Sequence, residues 1–289
     1  MRKILKATLI LFSALIVIGV LYSRIHEEGH TESELKISGI GSVGSVEINI
    51  LVDNNPNFDL KSPWGISIYI KTQNLSILFD AGPDPNALKE NSKKLNLDLS
   101  NLDLAVISHE HGDHIRGLEY ISEVNKNLTI FVPAHMSESC KNWIKSLGFK
   151  VIEVKDTTLI SEGIAIVGEL YGPPYEQALA INVKNLGLII LVGCSHPGVD
   201  KIVSKAEKEL SQNPYAVIGG FHLSGASLNK IRDIAKALNK TGLKRIYPVH
   251  CSGEDFREFL RENYPEVYGD GRVGVKISFS GNQTEVSGG

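Results

Sequence analysis

Short apolar runs and amphipathic stretches alternate along most of the chain. "VEINILV" (46–52), "GISIYIK" (65–71) and "SILFD" (76–80) have the composition of strands, with turn residues between them. "NALKENSKKL" predicts a helix, and the almost wholly apolar "LDLAVISH" (102–109) a strand buried on both faces. A helix is expected from Asp113 to about Val124, then a strand at "NLTIFVP" and a helix at "MSESCKNWIKSLGF". Four strands follow Lys150: "VIEV", "GIAIVGEL", "ALAINV" and "LGLIILVGC". Helices at 198–211, 227–240 and 253–263 then alternate with strands "YAVIGG", "RIYPVH" and "VGVKISFS". The pattern is α/β in one domain, with too many strands for a single sheet, so two sheets with helices outside are expected.

The N-terminus departs from this pattern. Arg2, Lys3 and Lys6 precede an apolar run from Ala7 to Tyr22. As a helix that run is about 24 Å long, slightly short of a ~30 Å hydrocarbon core, and Ile4, Leu5 and a snorkelling Lys6 extend it. "VLYSRI" is a poor cleavage site, which favours a membrane anchor over 1–25, with a cleaved signal peptide as the rival. The basic flank would keep the N-terminus in the cytoplasm and place the rest outside. Residues 26–45, polar and rich in Gly and Ser, read as a linker, 46–280 as the domain and 281–289 as a tail. A net charge of −3 and the absence of a basic cluster beyond the N-terminus argue against nucleic acid as a partner. The three cysteines, Cys140, Cys194 and Cys251, do not make a disulfide framework. Cys251 reads as a small buried hydrophobe, and Trp64 and Trp143 as core residues.

The chemistry concentrates in "SHEHGDH". His109 and His111, two apart in extended chain, point the same way, and a turn at Gly112 brings Asp113 and His114 beside them. Imidazoles with a carboxylate suit zinc, iron or manganese. His196, His222 and His250 each end a further apolar strand, and strand ends of one sheet lie along a common edge. Six histidines should therefore converge. Gly112, Gly193, Gly219 and Gly220 fall where the backbone must turn sharply beside packed ligands.

H-x-H-x-D-H after a buried strand, with later strand-end histidines, resembles the metallo-β-lactamase fold superfamily. "LVDNN", "ILFDAGP", "GCSHPG", "VIGGFHL" and "PVHCSG" resemble one branch of it, the 7,8-dihydropterin-6-yl-methyl-4-(β-D-ribofuranosyl)aminobenzene 5′-phosphate synthase-like proteins. The resemblance runs from about Ile48 to Phe279. It implies an αββα sandwich holding two divalent transition metals, zinc first, with iron or manganese as alternatives. His109 and His111 would bind the first metal, completed by His196; Asp113, His114 and His250 would bind the second. The superfamily often bridges its metals with an aspartate where this chain has Gly193-Cys194, so either Cys194 replaces it or His196 substitutes. His222 would act as a ligand, or as proton donor and oxyanion partner. Asp80 would orient a ligand histidine, and Asp53, Asn54 and Asn55 would flank the site.

The expected function is a membrane-anchored dinuclear-metal hydrolase of a phosphoester or related ester, working through a metal-bound hydroxide on a small-molecule substrate. Asp113 and His222 are its expected catalytic residues. The branch resemblance implies an alternative, a transferase joining a pterin pyrophosphate to a ribosylaminobenzene phosphate. A metal-bearing binding domain without turnover is a third reading. The loops between Asp53 and Trp64, and between Gly168 and Glu176, are expected to choose the substrate.

Overall fold

The computed structural model describes residues 39–57, 59–281 and 283–288. The N-terminal apolar run and most of the linker lie outside them. Among the described residues no helix is long and apolar enough to cross a membrane.

Fourteen strands form two sheets. The first has eight, in the order β14-β13-β1-β2-β3-β4-β5-β6, where β1 is Ser45–Val52, β2 Ser67–Thr72, β3 Ser76–Ala81, β4 Leu104–Val106, β5 Thr129–Pro133, β6 Lys150–Val154, β13 Lys276–Ser280 and β14 Gln283–Ser287. The second has six, β12-β11-β10-β9-β8-β7, where β7 is Thr158–Ser161, β8 Ile164–Tyr171, β9 Tyr175–Val183, β10 Gly187–Val192, β11 Pro214–Gly219 and β12 Arg245–Pro248. Each sheet is part antiparallel and part parallel. Strands β3 to β6 run parallel in the first, and β10 to β12 in the second.

Period-two alternation builds the layers. In β10, Ile189 and Leu191 face the space between the sheets, where they meet Ile48, Ile68 and Phe79, while Leu188, Ile190 and Val192 face helices. Helices α5 (Val199–Leu210), α6 (Leu228–Lys240) and α7 (Glu254–Asn263) cover that outer face. In α5 the buried positions Val199, Ile202, Val203, Ala206 and Leu210 make one stripe at helical spacing. Helices α1 (Pro85–Lys94), α3 (Leu118–Val124) and α4 (Glu138–Ser146) cover the first sheet through Leu88, Leu118, Ile121 and Ile144. Asp84 caps α1 by accepting from the Asn86 amide, Pro85 opens it, and Ser227 caps α6. The result is the expected αββα sandwich.

Three differences from the sequence pattern have local causes. The helix expected from Asp113 to Val124 is two, α2 (Gly112–Ile115) and α3. The break lies at Gly117, whose amide bonds to Gly82 O and whose Cα approaches Ala81 O so closely that a Cβ would lie 1.9 Å from it. Strand β4 stops at Val106 rather than running to His109, because Asp80 Oδ1 takes the Ser108 amide. Strands β7 and β14 were not foreseen: one is four residues long, the other almost wholly polar and exposed. At the other end of the chain, the described part of the polar stretch before β1 is packed. Ile40 is buried, and Val43 exchanges backbone hydrogen bonds with Asn182 and Lys184.

Candidate metal centre

The site lies where β1, β3, β4, β10, β11 and β12 end, and every candidate residue belongs to one of those ends or the loop after it. Four of the described non-glycine residues with positive φ sit here: Asp80 (55°), Ser195 (61°), His222 (52°) and His250 (50°). The other four are asparagine or serine in ordinary turns, so unfavourable backbone geometry in the larger side chains is confined to this edge.

The six histidines form one connected cluster. Ring centroids of His109 and His111 are 4.7 Å apart, His109 and His196 4.7 Å, His111 and His196 4.9 Å, His109 and His114 4.0 Å, His114 and His250 5.2 Å, and His196 and His222 4.6 Å. The partners on the far side of each ring assign its proton. Asp80 Oδ2 accepts from His114 Nδ1 at 2.7 Å. Ser108 Oγ donates to Asp80 Oδ2 and accepts from His109 Nδ1 at 2.8 Å. Glu176 Oε2 accepts from His196 Nδ1 at 3.0 Å, and Asn54 Oδ1 from His250 Nδ1 at 3.0 Å. Four imidazoles are thereby fixed with Nε2 as a free lone pair. His111 differs, since its Nδ1 lies 3.1 Å from His109 Nε2.

Three buried carboxylates hold the loops that carry these rings. Asp53 Oδ1 accepts from the His250 amide at 2.6 Å. Asp80 binds both the amide and the hydroxyl of Ser108. Glu176 accepts from the amides of Cys194 and Ser195 on Oε1, and from the His196 amide on Oε2. Burial alone would raise the Glu176 carboxyl, but His196 and these amides together hold it below the ordinary value. Burial, and then the neighbouring imidazoles, push His109 well below the usual histidine value, and burial lowers His111, so the surroundings of both rings favour the neutral form. Burial disfavours the charged form of His114, yet the Asp80 carboxylate outweighs it and raises the group. Burial would raise Asp113, but His250 and His114 beside its carboxylate bring it below the ordinary carboxylate range. Contact with Cys251, and then burial, push the Cys194 thiol up.

These groups fit metal ions. Donor atoms of Asp113, His114, Cys194 and His250 all lie within 4.8 Å of one another, as do those of His109, Cys194 and His196. Ligands on one tetrahedral ion are about 3.4 Å apart. His114 Nε2 is 3.2 Å from Cys194 Sγ, His250 Nε2 is 3.4 Å from Asp113 Oδ2, and His114 Nε2 is 3.8 Å from that oxygen. His250 Nε2 is buried without a hydrogen-bond partner, a position a cation would satisfy.

The fold and the donor set decide the family. The chain belongs to the β-lactamase superfamily. Residues 76–166 match the β-lactamase superfamily domain. The chain is 28% identical to the 7,8-dihydropterin-6-methyl-4-(β-D-ribofuranosyl)-aminobenzene-5′-phosphate synthase of Methanocaldococcus jannaschii, over 84% of this chain and 100% of the synthase. It is 32% identical to an uncharacterized protein of the same organism, over 77% of this chain and 96% of that one. Among solved structures it is similar to a metal-dependent hydrolase of the β-lactamase superfamily, with a TM-score of 0.70, 23% identity, and coverage of 81% of this chain and 99% of that one.

Relative to the sequence reading, ring contacts join all six histidines, with Asp113 and Cys194 among them, but His111, expected beside His109 on the first metal, belongs to none of the sets of mutually close donor atoms. Asp53, Asn54 and Asp80 stand directly behind ligand rings or loops. His222 lies at the exposed rim, with its amide 3.3 Å from Cys251 Sγ, and Cys251 is therefore polar in use as well as buried. Trp64 is a correction: it is not core but 53% exposed, with its ring 5.1 Å from that of His250. Trp143 is partly buried against the outer face of the first sheet. Glu176 was missed, although an acidic residue opening an otherwise apolar strand was a usable signal. His135 was missed too. It follows β5 as the other histidines follow their strands, bonds through Nδ1 to Glu169 and stacks on Tyr175 at 4.5 Å. With His111, Tyr171 and Tyr175 it lines a groove of about 420 Å³ beside the centre.

Proposed function

We propose that the chain is a metal-dependent hydrolase of a phosphoester or related ester bond, held at a membrane by residues 1–25 with its domain outside. The observation that carries the enzyme reading is the cluster of imidazoles with the Asp113 carboxylate and the Cys194 thiol at one edge of the sheets, exposed at His222. Two divalent metals, zinc first, with His109, His111 and His196 on one and Asp113, His114 and His250 on the other, would supply positive charge that acidifies water and polarises the ester.

The chain's own residues supply the rest. Asp113 has a carboxylate oxygen turned to the centre and orients the attacking water. His222, exposed at the rim, gives a proton to the leaving oxygen as its bond to phosphorus or carbon breaks. Its hydrogen bond with Cys251 raises the imidazole above its ordinary value, which favours the protonated donor near neutral pH. Trp64 and the Tyr171–Tyr175 wall, on the two loops expected to choose the substrate, flank the entrance.

One observation favours a second reading. The likeness to the M. jannaschii synthase spans that protein's whole length, which supports transfer between a pterin pyrophosphate and a ribosylaminobenzene phosphate. The test offers the metal-loaded full chain, purified in detergent, phosphodiesters, phosphomonoesters and lactones in one series. A second series offers the pterin pyrophosphate with the ribosylaminobenzene phosphate. Turnover in the first supports the hydrolase, pyrophosphate release dependent on both substrates in the second supports the transferase, and turnover in neither overturns both.

A further inference from the structure

Three sets of donors, the two above and a third of Cys194, His222 and Cys251, share one atom. Cys194 Sγ lies within 4.8 Å of the donor atoms of Asp113, His114 and His250 on one side and of His109 and His196 on the other. Of the other non-imidazole donors, Asp113 joins only the first of those sets and Cys251 only the third. The remaining buried carboxylates cannot take a place between the sets, because their oxygens are engaged. Asp80 and Glu176 each accept at least two hydrogen bonds from backbone or imidazole donors, and Asp53 binds the His250 amide and Asn55.

The sulfur is also held in place. Glu176 Oε1 fixes the amides on both sides of the Cys194 Cα–C unit, at 2.9 Å to Cys194 N and 2.7 Å to Ser195 N. The Ser195 hydroxyl donates to Gly220 O at 2.7 Å, tying this loop to the end of β11. Behind it, Cys251 Sγ donates to Cys194 O at 3.7 Å and accepts from the His222 amide at 3.3 Å. His114 Nε2, left as an acceptor by the bond from Nδ1 to Asp80, lies 3.2 Å from Cys194 Sγ and takes the thiol proton in a hydrogen bond, the position a metal would take over once that proton is lost.

The geometry points to Cys194 as a thiolate that bridges the two metals, its thiol proton released to solvent as they bind. This rests on the metal-dependent reading above and adds the identity of the bridge. A soft sulfur between two borderline ions favours zinc, iron or cobalt over manganese or magnesium. Cys251, in contact with the Cys194 carbonyl and the His222 amide and in neither the His109 nor the Asp113 donor set, is then a positioning residue for the bridge.

Cobalt(II) reads the bridge without reference to turnover. The metal-free full chain, purified in detergent, is titrated with cobalt and followed by near-ultraviolet absorption and electron paramagnetic resonance. A bridging thiolate gives a sulfur-to-cobalt charge-transfer band that grows with both the first and the second equivalent, while the second equivalent quenches the paramagnetic signal of the first. Cys194→Asp, which restores a bridging carboxylate, should bind about two cobalt ions with that band gone. Cys251→Ser should keep the band. Two cobalt ions bound to the wild-type chain without the band would overturn the bridge and leave the metal-dependent reading standing. A band that grows with only one equivalent makes Cys194 a terminal ligand and overturns the bridge, as does its loss in Cys251→Ser with retention in Cys194→Asp. No cobalt uptake by the wild-type chain would overturn both inferences.

Discussion

Four of the candidate ligand histidines are each paired with a supporting residue. Asp80 sets His114, Glu176 sets His196, Asn54 sets His250, and Ser108 relays Asp80 to His109. The pairing fixes the tautomer, and so decides which nitrogen faces the metal. Glu176→Gln tests this most sharply. An amide has one acceptor oxygen, so either the Cys194 and Ser195 amides or the His196 amide and Nδ1 would face an NH₂ group. Affinity for one of the two metals should fall about 10–100-fold, measured by competition with a chelator, while the other metal is retained. His222→Ala should behave in the opposite way, keeping both metals and losing on the order of 10²–10⁴-fold in turnover. Metal loss in that variant would make His222 a ligand and remove the acid role. The ligand types themselves were legible, because strand-end histidines and H-x-H-x-D-H are local patterns. The supporting carboxylates were only partly so. Asp80 sits in a recognisable motif, but Glu176 meets residues 18 to 20 positions away in sequence, and no spacing rule reports such a contact.

The elements explain why those residues meet. Six strands end at one edge, three from each sheet, and the loops after them cross the gap between sheets. Gln177 clamps the sheets together by donating from its side chain to Ile107 O and Phe131 O and from its amide to Ser108 O. Space at this junction is tight. A Cβ on Gly193 would lie 2.1 Å from Ser108 Oγ and 3.0 Å from Glu176 Oε1, two atoms already committed to ligand support. Gly193→Ala should therefore destabilise by about 1–3 kcal/mol and reduce metal content, read by thermal denaturation and metal analysis. Gly112→Ala is the contrast, since its Cβ would meet only the flexible end of Arg116, and its midpoint should stay close to the wild type. Of the four glycines singled out by position, only Gly219 has a positive φ, at 147°. Most strands and helices were legible because their apolar faces repeat at period two or 3.6. What escaped was set from outside the segment: β4 is cut short by Asp80, the helix after His111 breaks against Ala81 O, and β14 pairs with β13 through backbone with little apolar signal of its own.

At the scale of the whole molecule, the side of a membrane on which the domain works separates the two enzymatic readings. On the proposed reading, Arg2, Lys3 and Lys6 ahead of the apolar run, with Glu27 and Glu28 after it, would keep the N-terminus inside and export the domain. Pterin pyrophosphates are doubly phosphorylated cytoplasmic compounds that do not cross a bilayer unaided, so an exported domain would not meet them. A hydrolase of external phosphoesters needs no such supply. The candidate metal centre would serve either reaction, since each expels an oxygen leaving group that His222 would face, and chemistry at the site therefore does not decide between them. A tag placed after Gly289 and protease added to intact cells or spheroplasts does. Loss of the tag without lysis, with a cytoplasmic marker still protected, is the outcome expected for the exported hydrolase. A tag that survives until the cells are lysed would put the domain beside pterin pyrophosphates, and the likeness to the M. jannaschii synthase would then carry the functional assignment.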